Sequence, residues 1–319
     1  MTDSEISARY LRFAEEEARG RSPLYEAIAR GVAADRDVVG FLADLAKDKQ
    51  QPNLLLAAVR HLSGTPTGWS DFRRTLLANR DAVRAIMQSR STQTNEPARC
   101  ATLLPVLARL PQPLALLEVG ASAGLCLLPD HYGYDYGGAV LPAAARSPTF
   151  RCAANGATPV PDAMPRIVWR AGLDLNPLDA ADPAQTAWLE TLVWPEQTER
   201  LANLQAALRI AVAIRPRVVK GDLTGDGLAR LAREAPSDAT LVVFHTAVLA
   251  YVADPADRQA FATRAMQLGT WISNEMPAVF PDIAKRDVRG APGRFLLAVN
   301  GTPVAWADPH GASLDWIAA

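Results

Sequence analysis

The residues with chemistry to offer stand where apolar runs stop. Leu114 to Leu127 reads LALLEVGASAGLCL. An apolar run passes Glu118 and ends in Gly120-Ala-Ser122-Ala-Gly124, after which a second apolar segment begins. A run of this kind, bounded by turn residues, is what a strand covered on both faces looks like. Gly120 allows a sharp turn at the strand's end, and Gly124 lets a helix start close to the strand or to a ligand. Such a turn aims backbone N–H groups into the crevice beyond a sheet, where a nucleotide-like ligand can sit. Ser122, in the middle of the turn, is also placed as a nucleophile would be.

Other chemically capable residues close later apolar runs. RIVWRAGLD ends at Asp174, followed by Leu175-Asn176-Pro177. A carboxylate at the end of a second strand can accept hydrogen bonds from two ribose hydroxyls. The plain alternative is that Asp174 or Asn176 makes an Asx turn before Pro177. RVVKGD ends at Asp222, which can accept from an adenine amino group or simply cap the turn from Leu223 to Gly227. TLVVFH ends at His245, and a histidine at the carboxyl end of a central strand faces the ligand crevice of an open α/β sheet. WISNE ends in Asn274-Glu275. Gln93, Asn95 and Glu96 fall in the polar stretch between the first third of the chain and the glycine strand, where a substrate cleft is expected. As candidate bases we take His245 first, with Glu275 and Glu96 in reserve.

The elements that position these residues follow from periodicity. Residues 1–97 carry helical spacing without a strand pattern: Ile6, Tyr10, Leu11 and Phe13; Tyr25, Ile28 and Ala29 behind Ser22-Pro23; Val38, Phe41, Leu42 and Leu45 behind a cap at Asp37. They read as a helical cap domain. His61 lies in an apolar helix and reads as a satisfied histidine, and Glu15 to Glu17 as a solvated helix face. Residues 98–319 alternate strand and helix, which means a mostly parallel sheet covered by helices. Asn300-Gly301 adds a terminal antiparallel hairpin. Residues 129–165 hold prolines, glycines and three tyrosines, with a tight-turn signal at Asn155-Gly156, and read as an irregular insertion carrying a small hairpin. Tyr132, Tyr134 and Tyr136 read as its own small core.

Composition excludes several partners. With 33 basic and 34 acidic residues the net charge is −1, so no global field attracts nucleic acid or an anionic membrane. No apolar stretch is long enough to span a bilayer. Cys100, Cys126 and Cys152 are widely spaced, which indicates neither a disulfide framework nor a thiolate metal site, and no metal is expected. The expected location is the cytoplasm, with a small-molecule substrate and an open oligomeric state.

The motifs resemble known families. E-x-G-x-x-x-G after a strand resembles the first motif of class I S-adenosylmethionine-dependent methyltransferases. The same residues spell G-x-S-x-G, the nucleophile elbow of α/β-hydrolases, with Ser122 as nucleophile. A hydrolase would need an acid and a histidine after Ser122; His310 with Asp254 or Asp282 has the order, but no HGGG-type segment precedes Ser122. Glu118, Asp174 and Asp222 close or adjoin the first three strands, which suits the methyltransferase. QPNLLLAAVRHL, QTNEPARC, LLEVGASAGLCLLPDHYGYDYG, GLDLNP, LVWPEQTERL, VVKGDL, VVFHTAVLAYV and WISNE together are similar to an uncharacterised bacterial family that is grouped with these methyltransferases.

The resemblance implies a Rossmann-like class I methyltransferase sheet, mostly parallel with a terminal antiparallel hairpin, and S-adenosylmethionine as cofactor. Glu118, Gly120, Ser122 and Gly124 would surround its methionine part. Asp174 and Asn176 would hold the ribose, and Asp222 with Leu223 the adenine. His245 would lie beneath the sulfonium. Because the insertion separates Glu118 from Asp174, Asp130 and Asp135 are alternative ribose acids. A methyltransferase-like binding protein without catalysis is the second reading.

Overall fold

The computed structural model describes residues 2–284 and 293–317. The chain divides into two compact units, Met1–Thr94 with Asp182–Ala202, and Asn95–Ala181 with Asn203–Ala319. The second stretch of the first unit lies in the part of the chain that sequence alone kept with the sheet.

The first unit is helical. Helices span Asp3–Arg12, Pro23–Ala34, Arg36–Ala43, Pro52–Ser63, Trp69–Ala78 and Arg80–Ser89. Their starts are chemically specified. Thr2 and Glu5 form a capping box, and Ser22 accepts from the N–H of Tyr25 with Pro23 in the first turn. Asp35, rather than Asp37, caps the third helix by accepting from the N–H groups of Asp37 and Val38. Ile6, Tyr10, Ile28, Val32, Leu42, Leu55, Phe72 and Met87 are buried together.

Trp188 joins that core from the returning helix Pro183–Leu192. Its indole N–H donates to Ser91 O at 3.0 Å, and that of Trp194 donates to Asn53 Oδ1 at 3.0 Å. Glu196 accepts from the Ser22 hydroxyl at 2.8 Å, and Arg60 donates to Val193 O. His61 is edge-on to Trp188 and 3.4 Å from Thr191 Oγ1, a packed histidine as its setting suggested.

The second unit is a mixed α/β fold with one large sheet. Its strands are β1 (Leu114–Val119), β2 (Gly133–Asp135), β3 (Val140–Leu141), β4 (Thr149–Arg151), β5 (Ala153–Ala154), β6 (Ile167–Asp174), β7 (Arg217–Lys220), β8 (Thr240–Thr246), β9 (Thr270–Glu275), β10 (Phe295–Val299), β11 (Thr302–Ala307) and β12 (Ser313–Trp316). The nine-stranded sheet runs β5-β12-β11-β10-β9-β8-β1-β6-β7. From β7 to β9 all neighbours are parallel. From β9 to β12 they are antiparallel, and β5 adds to β12 in parallel. Every residue of β1 is buried, as expected of a strand covered on both faces. Asn300 and Gly301 have φ of +48° and +75° and join β10 to β11 in the tight hairpin their types favour.

The insertion departs from expectation in two ways. First, no long helix follows the glycine turn: only 3-10 turns at Leu125–Leu127 and Pro129–His131 are formed. Pro129 offers no N–H to extend the first turn. Second, the small hairpin expected in the insertion, β2–β3, gains a third strand: β4 pairs with β2 in parallel on its other side. β5 then crosses to the far edge of the large sheet. There the Asn155 side chain accepts from Trp316 N and donates to Trp316 O, both at 3.0 Å. Tyr132, Tyr134 and Tyr136 are buried, and their hydroxyls donate to backbone oxygens of Leu125, Pro129 and Ala101. They form a core with Phe150, as read.

Among the described residues no helix is long and apolar enough to cross a membrane. The three cysteines are buried and unpaired.

Because Trp188 belongs to the core of the first unit, Trp188→Ala is expected to destabilise that unit by about 3–5 kcal/mol. Hydrogen exchange of the helix Pro52–Ser63 should speed up accordingly, while β1 and β8 stay protected.

Candidate active site at the carboxyl edge of the sheet

The parallel strands follow the chain order 3-2-1-4-5, so the winding reverses at β1: one connection leads away to β6 and β7, and the chain returns to β8 on the other side. Ligands of open α/β sheets bind beyond the carboxyl ends of the strands at this reversal. The candidate site is therefore the edge formed by Glu118 to Gly124, Thr246 to Leu249, and Asn274.

The glycine turn is tightly specified. Gly120, Ser122 and Gly124 have φ of +74°, +50° and +71°. A Cβ on Gly120 would run into Val248, and one on Gly124 into Pro216. Asp174 Oδ2 accepts from Ser122 N at 2.8 Å, and Oδ1 from Asn176 N at 2.7 Å. Asn95 Oδ1 accepts from Ala123 N at 3.1 Å while its amide donates to Ser122 Oγ at 2.8 Å. Gly120 N donates to Leu173 O and Gly124 N to Ala121 O. The turn's N–H groups thus already have partners within the chain.

Side chains alternate along a strand, and the alternation sorts the polar groups onto two faces. One face carries Glu118, Thr246 and Asn274 near the ends of β1, β8 and β9. The helix Cys100–Leu107 reaches this face: Asn274 Nδ2 donates to Thr102 Oγ1 at 3.4 Å. The turn before that helix brings Arg99, which donates to Pro309 O at 2.7 Å and Thr246 O at 3.0 Å. Glu118, Arg99, Thr246 and Asn274 are all buried. Glu118 Oε2 and Asn274 Oδ1 have no hydrogen-bond partner among the described residues. Burial pushes the Glu118 carboxyl well above the usual carboxylate range; Cys126 and Asp174 add to the shift and the Arg99 charge opposes it. Glu96 belongs to the same edge. It is buried, with Oε2 3.4 Å from His310 Nδ1.

The other face corrects the expectation for His245. Its side chain is wholly buried, stacked on Trp271 and edge-on to Phe261. Nδ1 lies 2.8 Å from Glu275 Oε1, and Nε2 accepts from the Trp271 indole N–H at 3.1 Å. With both ring nitrogens engaged inside the core, His245 has no free nitrogen to act as a base beneath a sulfonium. Glu275 is bound in the same network. Its Oε1 also accepts from Val248 N and Leu249 N, so it braces the turn that presses Val248 against Gly120.

The remaining acids are placed as follows. Asp222 is exposed; its Oδ1 accepts from the N–H and hydroxyl of Thr224, and those bonds hold its carboxyl below the usual range. Leu223 O accepts from Arg264. Asp130 is paired with Arg170 at 2.8 Å, and Asp135 accepts from Gly137 N. Ser122 has no histidine partner: its hydroxyl is held by Asn95, and the four histidines of the chain sit beside Thr191, Asp130, Glu275 and Glu96. Asp254 caps the helix Pro255–Leu268. Among the described residues no Ser-His-Asp arrangement is assembled around Ser122.

Arg99 and Thr246 were not singled out from sequence, and Asn274 was named at its strand end without a role. Period-two alternation in WISNE shows that Asn274 and Glu275 point to opposite faces, a signal that could have found Asn274. Nothing local marked Arg99, whose place depends on contacts 147 and 210 positions away.

A family model described as an uncharacterized protein conserved in bacteria (DUF2332) matches residues 7–316. None of the curated proteins matches the chain.

The Glu118 carboxyl yields a signed prediction. Its folded value is raised, so its stabilising share is complete in acid and is lost as pH rises through that value. Glu118→Gln removes the titration. The variant should gain stability over the parent as pH rises from 5 to 8, by about 1–3 kcal/mol at the upper end, read from urea midpoints.

Proposed function

The chain belongs to this bacterial family, and we propose that its second unit binds S-adenosylmethionine and transfers the methyl group to a small-molecule acceptor. One observation carries the reading. At the reversal point of a 3-2-1-4-5 parallel sheet, beside a left-handed glycine turn, Glu118 holds a buried carboxyl oxygen without a partner. A buried unpaired acceptor is costly, and an ammonium group on a ligand would satisfy it.

The other residues fit the same ligand. Asp174 is pre-oriented by two backbone N–H groups, and a carboxylate has about four acceptor sites. It can therefore still accept a ribose diol, with Asn176 beside it. Asp222 is within an exposed turn at the end of β7 and keeps Oδ2 for an adenine amino group, next to Leu223. Gly120 is covered by Val248, so a ligand approaching its backbone must move that side chain.

The cofactor brings a methyl group on a positively charged sulfur, whose leaving group is already activated. The protein's part is then to hold the acceptor in line, keep water out and accept a proton if one is released. The near-neutral net charge supports a small acceptor over nucleic acid. The internal satisfaction of the turn's N–H groups favours a second reading, a binding protein without turnover.

Calorimetric titration with S-adenosylhomocysteine, with NAD as control, tests the cofactor. Saturable binding of the homocysteine compound alone is expected. Asp174→Ala and Glu118→Ala should each weaken it about tenfold or more, the loss of a charge-assisted hydrogen bond. Unchanged affinity removes that residue from the site, and no binding removes the cofactor.

A further inference from the structure

We propose that His310, oriented by Glu96, accepts the proton of the methyl acceptor, which therefore enters as an oxygen or nitrogen nucleophile still carrying its hydrogen. The inference rests on the cofactor reading above and assigns the base that His245 cannot be.

Topology puts His310 at the right edge. Two antiparallel steps from β9 leave β11 running in the sense of β9. The turn from β11 to β12 therefore lies beyond the same ends of the sheet as Glu118 and Thr246. That turn is fixed. Arg99 Nε donates to Pro309 O at 2.7 Å, and the same guanidinium donates to Thr246 O. Asp308 Oδ1 accepts from His310 N at 2.8 Å and Ala312 N at 3.3 Å. Gly311 packs directly against the backbone of Ala98, with no room for a Cβ.

The pair itself is asymmetric. Glu96 Oε2 lies 3.4 Å from His310 Nδ1, the Glu96 side chain is 3% exposed and that of His310 is 42% exposed. His310 Nδ1 is buried, so the open part of the ring is the part bearing Nε2. The Glu96 carboxyl facing Nδ1 leaves Nε2 as the nitrogen turned to the open side. Of the charged groups at this turn, Glu96 faces the ring, Arg99 holds the backbone oxygen of Pro309 and Asp308 the backbone N–H of His310. Cys126 Sγ donates to Glu96 O at 3.4 Å and also contributes to the raised Glu118 carboxyl, which joins the pair to the polar face.

In the step, the acceptor's oxygen or nitrogen bonds to the methyl carbon as the carbon–sulfur bond breaks. The bonding pair stays on sulfur, which becomes a neutral thioether. The acceptor's proton passes to His310 Nε2, giving an imidazolium opposite Glu96. Glu96 is the positioning residue.

The test needs no known acceptor. Sinefungin carries an amine where the transferred methyl group would be, so a base at that position accepts a hydrogen bond from it. The parent protein should bind sinefungin about tenfold more tightly than S-adenosylhomocysteine. His310→Ala should abolish the preference and Glu96→Gln reduce it, with S-adenosylhomocysteine affinity unchanged in both. A preference that survives His310→Ala, or none in the parent protein, overturns the assignment while leaving the cofactor reading intact. Absence of binding by either compound overturns the cofactor reading and this assignment with it.

Discussion

The carboxylate of Asp174 ties the ends of the two adjoining strands β1 and β6 into one construction. It bonds forward to Asn176 N and across to Ser122 N. Ser122 needs that hold. It has a side chain and a φ of +50°, a conformation glycine adopts freely and other residues adopt at a cost of order 1 kcal/mol or more. Asn95 gives the second hold, from the turn preceding the helix Cys100–Leu107. Remove the two brackets and Ser122 N and Ala123 N lose their partners, leaving the turn held at its two glycines alone. Everything proposed for the edge, from Glu118 to Val248, is positioned relative to that turn.

Around it, one geometric rule divides labour. Alternation along β8 and β9 sends Thr246 and Asn274 to the face of Glu118, and His245 and Glu275 to the opposite one. On the second face Glu275 Oε1 accepts three bonds and stabilises a turn, while its Oε2 has no partner among the described residues. On the first face Glu118 Oε2 and Asn274 Oδ1 stay unsatisfied, and Arg99 is committed to backbone oxygens. Buried polar groups are ordinarily paired. A face that leaves them open departs from the best-stable arrangement, and such departures gather at sites that bind.

Much of the second unit was legible because its signals are local. Strands β1, β6, β8 and β9 announce themselves as apolar runs, and the Asn300-Gly301 hairpin follows from two residues that tolerate positive φ. The acids at strand ends were legible for the same reason. What was hidden depends on distant partners. Trp188 and Glu196 bind the first unit through contacts with Ser91 and Ser22 that no helical spacing reveals. β5 is a two-residue strand recruited by β12. The glycine pattern suggested a following helix, but Pro129 and the tyrosine core turn the chain away. His245 shows the limit most clearly: its place at a strand end was legible, but the face it occupies was decided by Trp271, Phe261 and Glu275.

The most direct measurement is a crystal structure of the protein with S-adenosylhomocysteine. A cofactor site at the reversal point requires ligand density beyond the ends of β1 and β8, with its amino group on Glu118 and its ribose on Asp174. Density elsewhere, with Glu118 Oε2 still unpartnered and Val248 still against Gly120, would contradict it.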